Sequence, residues 1–274
     1  MPIEKCHTRN SGHISIANMI TCDCFVNNKI CISFILVSHS IIRMQDMNNQ
    51  ISPKSIVFDL DGTLLDTWPS LHAAVLSFDP AGRDRLDPIT LRCRLSDGIG
   101  PMLSLALAQL NRDEPGAGRD YRLLSDIYEH DWLCTATPFE GSQAVLHELS
   151  AAGYRLGLCT NRDPDTTASL LDHLGWDDYF AATVCLNEGE NAKPHAEPLL
   201  KTLSLLGCAP ADALFVGDSH IDASCAANAN VPFAAHLGGY HAQRNDLDPC
   251  VMAFSHFRDL AGWIGQHRPA LTES

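Results

Sequence analysis

The pair of aspartates at positions 59 and 61 is the strongest chemical signal in this sequence. Asp59 and Asp61 directly follow the wholly apolar segment 56–58, whose composition is typical of a buried parallel strand. Ligands gather where such strands end, and Gly62 lets the backbone turn sharply there. Two carboxylates at that edge can share one cation and one phosphate. Gly62 and the next residue, Thr63, are candidates for substrate contact.

Three further polar residues lie where a phosphate could bind. Thr160 and Asn161 follow a predicted buried strand at 154–159 and precede Asp163, a candidate helix N-cap. A hydroxyl, an amide and the N–H groups of a helix start can together bind a phosphate. Lys193 lies near the start of a later helix, where its ammonium can neutralise phosphoryl oxygens and hold a nucleophilic carboxylate. Taken alone, these residues are also compatible with a polar turn and a solvated lysine.

A second pair of aspartates, Asp218 and Asp222, follows another apolar segment. Asp218 can reach the same cation as the first pair, whereas Asp222 is one helical turn further on and suits an orienting role. Two carboxylates about 4 Å apart repel by roughly 4 kcal/mol at an effective dielectric of 20, so the group requires a divalent cation. Hard oxygen ligands favour Mg²⁺. The predicted metal ligands are Asp59, Asp61 and Asp218.

Strand and helix patterns alternate from residue 139 onward, which predicts an α/β fold with a doubly wound parallel sheet, a Rossmann-like core. Ser142 is a candidate N-cap for the first helix of this part, and Gly175 and Gly207 are candidate ends of two later helices. After the strand at 56–58, strands are predicted at residues 154–159, 183–186, 213–216 and 233–237.

The segment between the first strand and Ser142 is too long for a simple crossover, which needs only a dozen or so residues. It carries two helical apolar faces. The first consists of Leu103, Ala106, Leu107 and Leu110, and the second of Tyr121, Leu124 and Tyr128. We therefore predict a small α-helical cap domain at residues 69–137, inserted into a core formed by residues 47–68 and 138–268.

The composition narrows the class of partner. A net charge of −14 over 274 residues disfavours nucleic acid and anionic membranes. The 11 cysteines show no framework pattern, and Cys159 and Cys185 lie in apolar segments, which indicates a reducing, cytoplasmic setting. A small molecule is then the expected partner, and the protein could be a monomer or a homodimer.

Residues 1–46 form an atypical N-terminal extension, rich in Ile, Asn, Ser, Cys and His. Its most apolar stretch, residues 30–42, is too short to span a bilayer. An ordered appendage, a membrane-surface segment and a start codon assigned too early are the three interpretations. We favour the last, because Met44 and Met47 each closely precede the first strand. A chain that begins at Met47 is then expected to keep full activity.

The four polar motifs resemble, in order and spacing, those of the haloacid dehalogenase superfamily, in its phosphatase branch. DLDGTLLDT at 59–67 is similar to the first motif and Thr160-Asn161 to the second. The sequence that begins at Lys193 is similar to the third, and GDSHID at 217–222 to the fourth. The resemblance implies a Mg²⁺-dependent phosphatase that acts on a small phosphate ester.

Finer features resemble the phosphoglycolate phosphatase-like group. TPFEG at 137–141 is similar to its entry into the core, and KPHAEPLL at 193–200 to its third motif. RLSDGIG resembles its cap loop with paired glycines, which implies that Arg94, Gly98 and Gly100 contact the substrate. A phosphoglycolate-type substrate is therefore favoured.

The resemblance also implies a mechanism. Asp59 attacks phosphorus and forms an aspartyl-phosphate, while Asp61 protonates the leaving alkoxide and then deprotonates the water that cleaves the intermediate. Mg²⁺ is held by Asp59, the backbone carbonyl of Asp61 and Asp218, and Asp222 orients this group. Three further residues bind or neutralise the phosphoryl oxygens, and these are Thr160, Asn161 and Lys193.

Two alternatives remain beside this assignment. A phosphoglucomutase-type phosphotransferase would return the phosphate to a sugar instead of releasing it. A non-catalytic phospho-acceptor of the receiver type also carries Asp, Thr and Lys on a doubly wound sheet, but its acceptor lacks a paired aspartate and its fold lacks a helical insert. For a phosphatase, sugar and amino-sugar phosphates, pyrophosphate and nucleotides are further possible substrates.

Overall fold

The computed structural model describes residues 51–112, 117–131 and 136–268. The predictions made for residues 1–46, and for a start at Met47, concern residues outside these ranges. In the part of the chain that is described, no helix is both long enough and apolar enough to cross a membrane.

A parallel β-sheet forms the centre of the fold. The strands, in chain order, are β1 (Ser55–Phe58), β2 (Leu65–Asp66), β3 (Thr137–Pro138), β4 (Arg155–Cys159), β5 (Phe180–Val184), β6 (Ala213–Gly217), β7 (Phe233–His236) and β8 (Met252–Phe254). The main sheet has the order β5-β4-β1-β6-β7-β8, with every neighbouring pair parallel.

Helices cover both faces of this sheet. The α-helices of the described residues, including those of the insert, are in chain order α1 (Trp68–Phe78), α2 (Pro88–Arg94), α3 (Ile99–Gln109), α4 (Ala117–Asp131), α5 (Ser142–Ala151), α6 (Pro164–Leu174), α7 (Glu197–Leu206), α8 (His220–Ala229) and α9 (Phe257–Gln266). Apolar residues of α5, α6 and α9 join the cluster that contains Ile56 and Phe58. Apolar residues of α7 and α8 join a second cluster with Val57. Since alternate residues of a strand point to opposite faces, this confirms the doubly wound α/β fold.

The helical insert leaves and re-enters the core at one place. Leu65 pairs with Pro138 and Asp66 with Thr137 in a short antiparallel ribbon, and α1 to α4 lie between these strands in the sequence. Most residues of the two predicted apolar faces are buried, and Tyr121 packs partly buried against the same core cluster. The division into cap and core domains at residues 69 and 137 remains a prediction.

Some local predictions were wrong. Gly141, with φ of +84°, is the N-cap of α5, so Ser142 is the first helical residue and makes no capping hydrogen bond. The strand predicted at 183–186 begins three residues earlier and ends two residues earlier, because the chain already pairs with β4 from Phe180. By contrast, Asp163 caps α6 by accepting a hydrogen bond from the N–H of Thr166, as predicted.

Candidate active site

The order of the sheet explains why residues distant in the sequence meet. β1 lies between β4 and β6 and pairs in parallel with both. Asp59, Thr160 and Asp218 each come directly after one of these three strands. Their backbones therefore lie side by side at the carboxyl edge of the sheet, the edge at which open α/β folds bind ligands.

Lys193 is the centre of a buried charged cluster at this edge. Its Nζ lies 2.6 Å from Asp59 Oδ1 and 2.7 Å from Asp222 Oδ1, and the residue is only 4% exposed. Asn161 fixes the backbone of the lysine: its Oδ1 accepts from the Lys193 N–H at 2.9 Å, and its Nδ2 donates to the Lys193 carbonyl at 3.0 Å. Asn161, which was predicted to bind phosphate, thus also holds the lysine in place.

The carboxylate of Asp218 is held from both sides. Thr63 Oγ1 donates to its Oδ1 at 2.9 Å, and the Tyr240 N–H donates to its Oδ2 at 2.7 Å. Gly62 has a φ of +87°, and a Cβ at this position would overlap the Asp218 carboxylate. The turn and the close approach therefore both require glycine. Gly62 and Thr63 approach the Asp218 carboxylate closely and do not line the cavity of the site, and their contact with substrate stays a prediction.

The carboxylate of Asp222 binds the start of α8 as well as Lys193. Its Oδ2 accepts hydrogen bonds from the Ser219 N–H at 3.1 Å and from Ser219 Oγ at 2.7 Å. In return, Ser219 Oγ accepts from the Asp222 N–H, which completes a capping box. Because both oxygens have protein donors, the side chain is well placed to orient Lys193.

The buried charges of this cluster do not balance. Carboxylate oxygens of Asp59, Asp218 and Asp222 lie within 4.8 Å of one another, and the single ammonium of Lys193 leaves a formal charge of −2. Burial raises the pKa of Asp59 to about 7, and the charge of Asp222 acts in the same direction. Burial and Asp222 likewise raise the pKa of Asp218 well above its usual value.

The lysine shows the opposite balance of effects. Burial acts to lower the pKa of Lys193, but the negative charges of Asp222 and Asp59 raise it well above its usual value. The ammonium therefore stays charged, and the excess negative charge remains on the carboxylates. A group of hard oxygen donors with a deficit of two positive charges could hold a divalent metal ion.

Asp61 is not part of this cluster and pairs instead with Arg162, which the sequence analysis did not single out. Arg162 Nε lies 3.0 Å from Asp61 Oδ2, and Nη2 lies 2.6 Å from Oδ1. Nη2 also donates to the hydroxyl of Tyr128 on α4 at 2.8 Å. Since the Asp61 carboxylate is held in this way, its predicted metal contact depends on the backbone carbonyl. The only available signal was that Arg162 directly follows the Thr160-Asn161 motif.

A cavity of about 300 Å³ opens onto the cluster, with Gly98 and Gly100 of the insert in its wall. Arg94 does not line it. Arg94 is paired with Asp97 at 2.5 Å and lines a separate, more open depression beside Tyr121. A neighbouring carboxylate thus holds the Arg94 guanidinium outside this cavity, and the contact of Arg94 with substrate stays a prediction.

Tyr240 is a second residue that the sequence analysis missed. Besides donating its N–H to Asp218, it accepts at its hydroxyl from the N–H groups of Thr67 at 2.7 Å and Trp68 at 2.9 Å. The same hydroxyl lies 2.9 Å from Asp66 Oδ1. Tyr240 thus connects the acidic cluster to the segment that enters the insert. It lies 22 residues after Asp218 and outside every recognised motif.

Comparisons with known proteins find a matching family and named relatives. A family model described as haloacid dehalogenase-like hydrolase matches residues 56–236. The phosphoglycolate phosphatase of Rhodospirillum rubrum is 33% identical over 227 residues, which covers 79% of this chain and 93% of that protein. The phosphoglycolate phosphatase of Shigella boydii is 30% identical over 245 residues, with 80% and 95% covered.

Solved structures share the fold. A haloacid dehalogenase-superfamily hydrolase of subfamily IA from Geobacter sulfurreducens superimposes with a TM-score of 0.61 at 26% identity, over 78% of this chain and 97% of that one. A protein from Haemophilus somnus, described as a predicted phosphoglycolate phosphatase, gives a TM-score of 0.67 at 24% identity, over 77% and 97%.

Proposed function

The chain is a phosphatase of the haloacid dehalogenase-like hydrolase family, and we propose that it hydrolyses a small phosphate monoester through an aspartyl-phosphate intermediate. The match to this family confirms the resemblance that the motifs indicated. The observation that supports the proposed chemistry best is the buried cluster in which Lys193 bridges Asp59 and Asp222 beside Asp218. It combines a carboxylate nucleophile, a fixed cation and hard oxygen ligands, which suits phosphoryl transfer.

Asp59 is the proposed nucleophile. Lys193 holds its Oδ1 at 2.6 Å, and Oδ2, which has only a long contact of 3.5 Å from Thr63 Oγ1, is the oxygen proposed to attack phosphorus in line. The leaving alkoxide departs on the opposite side, and a covalent acyl phosphate remains on Asp59. Positive charge close to this carboxylate favours its ionised, nucleophilic form.

Asp61 is the proposed acid and base, and it lines the cavity beside Asp59. It gives a proton to the leaving alkoxide and then takes one from the water that cleaves the acyl phosphate. A dehalogenase, which attacks carbon, does not need this acid, so the presence of Asp61 favours phosphoryl transfer. Thr160 and Asn161 line the same cavity and are proposed to bind phosphoryl oxygens.

Mg²⁺ is the proposed cofactor. Asp59, Asp218 and the backbone carbonyl of Asp61 would hold it, and Asp222 would orient this group. The bound ion supplies charge neutralisation of the phosphoryl oxygens and helps to align the ester. The −2 charge of the cluster and its all-oxygen donors fit such an ion.

A phosphoglycolate-type substrate is favoured because relatives with that name cover most of the chain at about 30% identity. A cavity of about 300 Å³ suits a small ester. The helical insert is proposed to act as a cap, since Gly98 and Gly100 line the same cavity as the acidic cluster. Closure would exclude water and select the leaving group.

A screen of phosphorylated metabolites, with Mg²⁺ and with EDTA, tests this function. We expect phosphate release from 2-phosphoglycolate above all other esters, lost in EDTA and restored by Mg²⁺. Asp59→Asn should abolish release while the exposed control Asp165→Asn keeps it. Phosphate release by the Asp59→Asn variant would overturn the assignment of Asp59 as the nucleophile. Transfer of the phosphate to a hexose phosphate, instead of release, would favour the phosphoglucomutase-type alternative.

A further inference from the structure

We propose that Arg162 is a positioning residue for Asp61, and that Tyr128 makes this positioning depend on the helical insert. The inference rests on the proposed role of Asp61 as acid and base. It assigns a function to a buried arginine and a buried tyrosine that none of the predicted site motifs contains.

Arg162 and Asp61 form a bidentate ion pair. Arg162 donates from Nε and Nη2 to the two different oxygens of Asp61, at 3.0 and 2.6 Å. Two parallel hydrogen bonds fix the plane of a carboxylate as well as its distance. Among residues 51–112, 117–131 and 136–268, Arg162 alone hydrogen-bonds this carboxylate. Without the guanidinium, Asp61 is therefore free to turn about its side-chain torsions.

Arg162 is itself fixed at its backbone and at its guanidinium. At the backbone, its N–H donates to Thr160 Oγ1 at 3.1 Å and its carbonyl accepts from the Leu186 N–H at 3.0 Å, which ties it to the ends of β4 and β5. At the guanidinium, Nη2 donates to the Tyr128 hydroxyl at 2.8 Å, and Cζ lies 5.9 Å from the centre of that ring. The arginine side chain is only 3% exposed.

The contact between Arg162 and Tyr128 connects the insert to the proposed acid and base. The same Nη2 atom binds Tyr128 on α4 and Asp61 in the core. A shift of α4 against β4 therefore moves the guanidinium, and with it the plane of the Asp61 carboxylate. Proton transfer needs heavy-atom distances of about 2.6–3.2 Å, and a misplacement of about 1 Å can cost about 100-fold in rate. Asp61 is thus aligned for proton transfer only while the insert is correctly placed.

The test compares two substrates that differ in their need for an acid. An alkyl phosphate has a poor leaving group and depends on protonation, whereas 4-nitrophenyl phosphate does not. We expect Arg162→Ala to lower kcat for the alkyl ester by about 100-fold and for the nitrophenyl ester by much less, with KM little changed for both. Arg162→Lys should restore part of the loss. Tyr128→Phe should show the same asymmetry at a smaller size.

Arg92→Ala is the matched control. Its guanidinium also bridges the insert and the core, since Nη2 donates to the carbonyls of Gly238 and Gly239 at 3.0 and 3.2 Å, but it does not touch Asp61. Any loss in this variant should be equal for the two substrates. Equal losses in Arg162→Ala as well, or a change in KM alone, would overturn the proposal, because the arginine would then be structural or a substrate ligand.

A crystal structure of Arg162→Ala gives a readout that does not depend on turnover. We expect Asp61 to occupy more than one rotamer while Asp59 and Lys193 keep their contact. An Asp61 carboxylate that stays in place without the arginine would contradict the positioning role. Activity in the Asp59→Asn variant would instead overturn the proposed function. The position of Asp61 in the crystal structure of Arg162→Ala would then still decide whether Arg162 positions Asp61.

Discussion

The Lys193 cluster and the part of the cavity wall that the insert supplies are held in place in different ways. In the cluster, Asp59 and Asp218 follow adjacent strands of one sheet, so the sheet itself sets their spacing. The insert is joined to the core by side-chain hydrogen bonds. Two of these connections are Arg162 to Tyr128 and Arg92 to the loop before Tyr240. The fold therefore fixes the proposed nucleophile rigidly, whereas the alignment of the proposed acid depends on contacts that can change.

Of the changes in the two regions, removal of the Lys193 ammonium should have the largest effect, and this effect is on activity. Lys193→Met leaves the carboxylates of Asp59 and Asp222 without their shared partner. We expect kcat to fall by about 10²–10³, the range found when one donor to a developing negative charge is removed. Steady-state kinetics at saturating Mg²⁺ measure this. A variant with unchanged kcat would show that the rigid region does not carry the chemistry.

The Asp61–Arg162 pair should have the next largest effect, on stability. Asp61→Leu leaves the Arg162 guanidinium buried without its carboxylate, which costs about 3–5 kcal/mol. The double variant Asp61→Leu/Arg162→Met should recover much of that loss, because it removes the buried guanidinium together with its carboxylate partner. Urea unfolding of both variants measures the difference. A double variant as unstable as the single one would mean that the cost arises from packing and not from charge.

His236 provides a pH-dependent test within the core. Burial lowers its pKa to about 4; the carbonyl of Gly62 opposes this effect, and His241 adds to it. In the unfolded chain the pKa is near 6.5, so the unfolded state takes up the proton first. The stabilisation by neutral His236 is therefore complete above about pH 6.5 and is lost as the pH falls to about 4. The shift corresponds to about 3 kcal/mol.

The measurement is the unfolding free energy of the native protein and of His236→Gln between pH 7 and pH 4. The native protein should lose about 3 kcal/mol more than the variant over this range. Parallel curves would show that this histidine is not buried in its neutral form.

The smallest effect is expected at the point where the core meets the insert. Tyr240→Phe keeps the backbone hydrogen bond to Asp218 but removes the acceptor of the Thr67 N–H. An unpaired buried donor costs about 1–3 kcal/mol. Tyr154→Phe is the matched control, because among the described residues its buried hydroxyl has no hydrogen-bond partner. Equal unfolding free energies for the two variants would contradict the connecting role of Tyr240.

The same contrast explains how much the sequence could predict. Asp59, Thr160 and Asp218 were predictable because each directly follows an apolar strand, and parallel strands end at one edge. Arg162 and Tyr128 were not predictable, because they meet only through a tertiary contact between segments 34 residues apart. Tyr240 was not predictable either, because it binds Asp218 through its backbone N–H, which no side-chain pattern reveals.

Three residues with a predicted substrate contact, Arg94, Gly62 and Thr63, lie outside the lining of the cavity. Arg94 lies in a segment that resembles a substrate loop, but Asp97, three residues later, holds its guanidinium away from the cavity. Gly62 and Thr63 adjoin the predicted nucleophile pair, yet their backbone and side chain approach the Asp218 carboxylate closely. Proximity in sequence to a reactive residue indicates a place in the site, but it does not distinguish a ligand from a support.

The most direct test of the account is to trap the covalent intermediate. The protein is mixed with Mg²⁺ and its best phosphate ester, quenched during turnover, and treated with borohydride, which reduces an acyl phosphate of aspartate to homoserine. Peptide mass spectrometry then locates the modified residue. We predict conversion at Asp59 and at no other aspartate. Full turnover without any modified residue, or modification at Asp61 or Asp218 instead, would contradict the account.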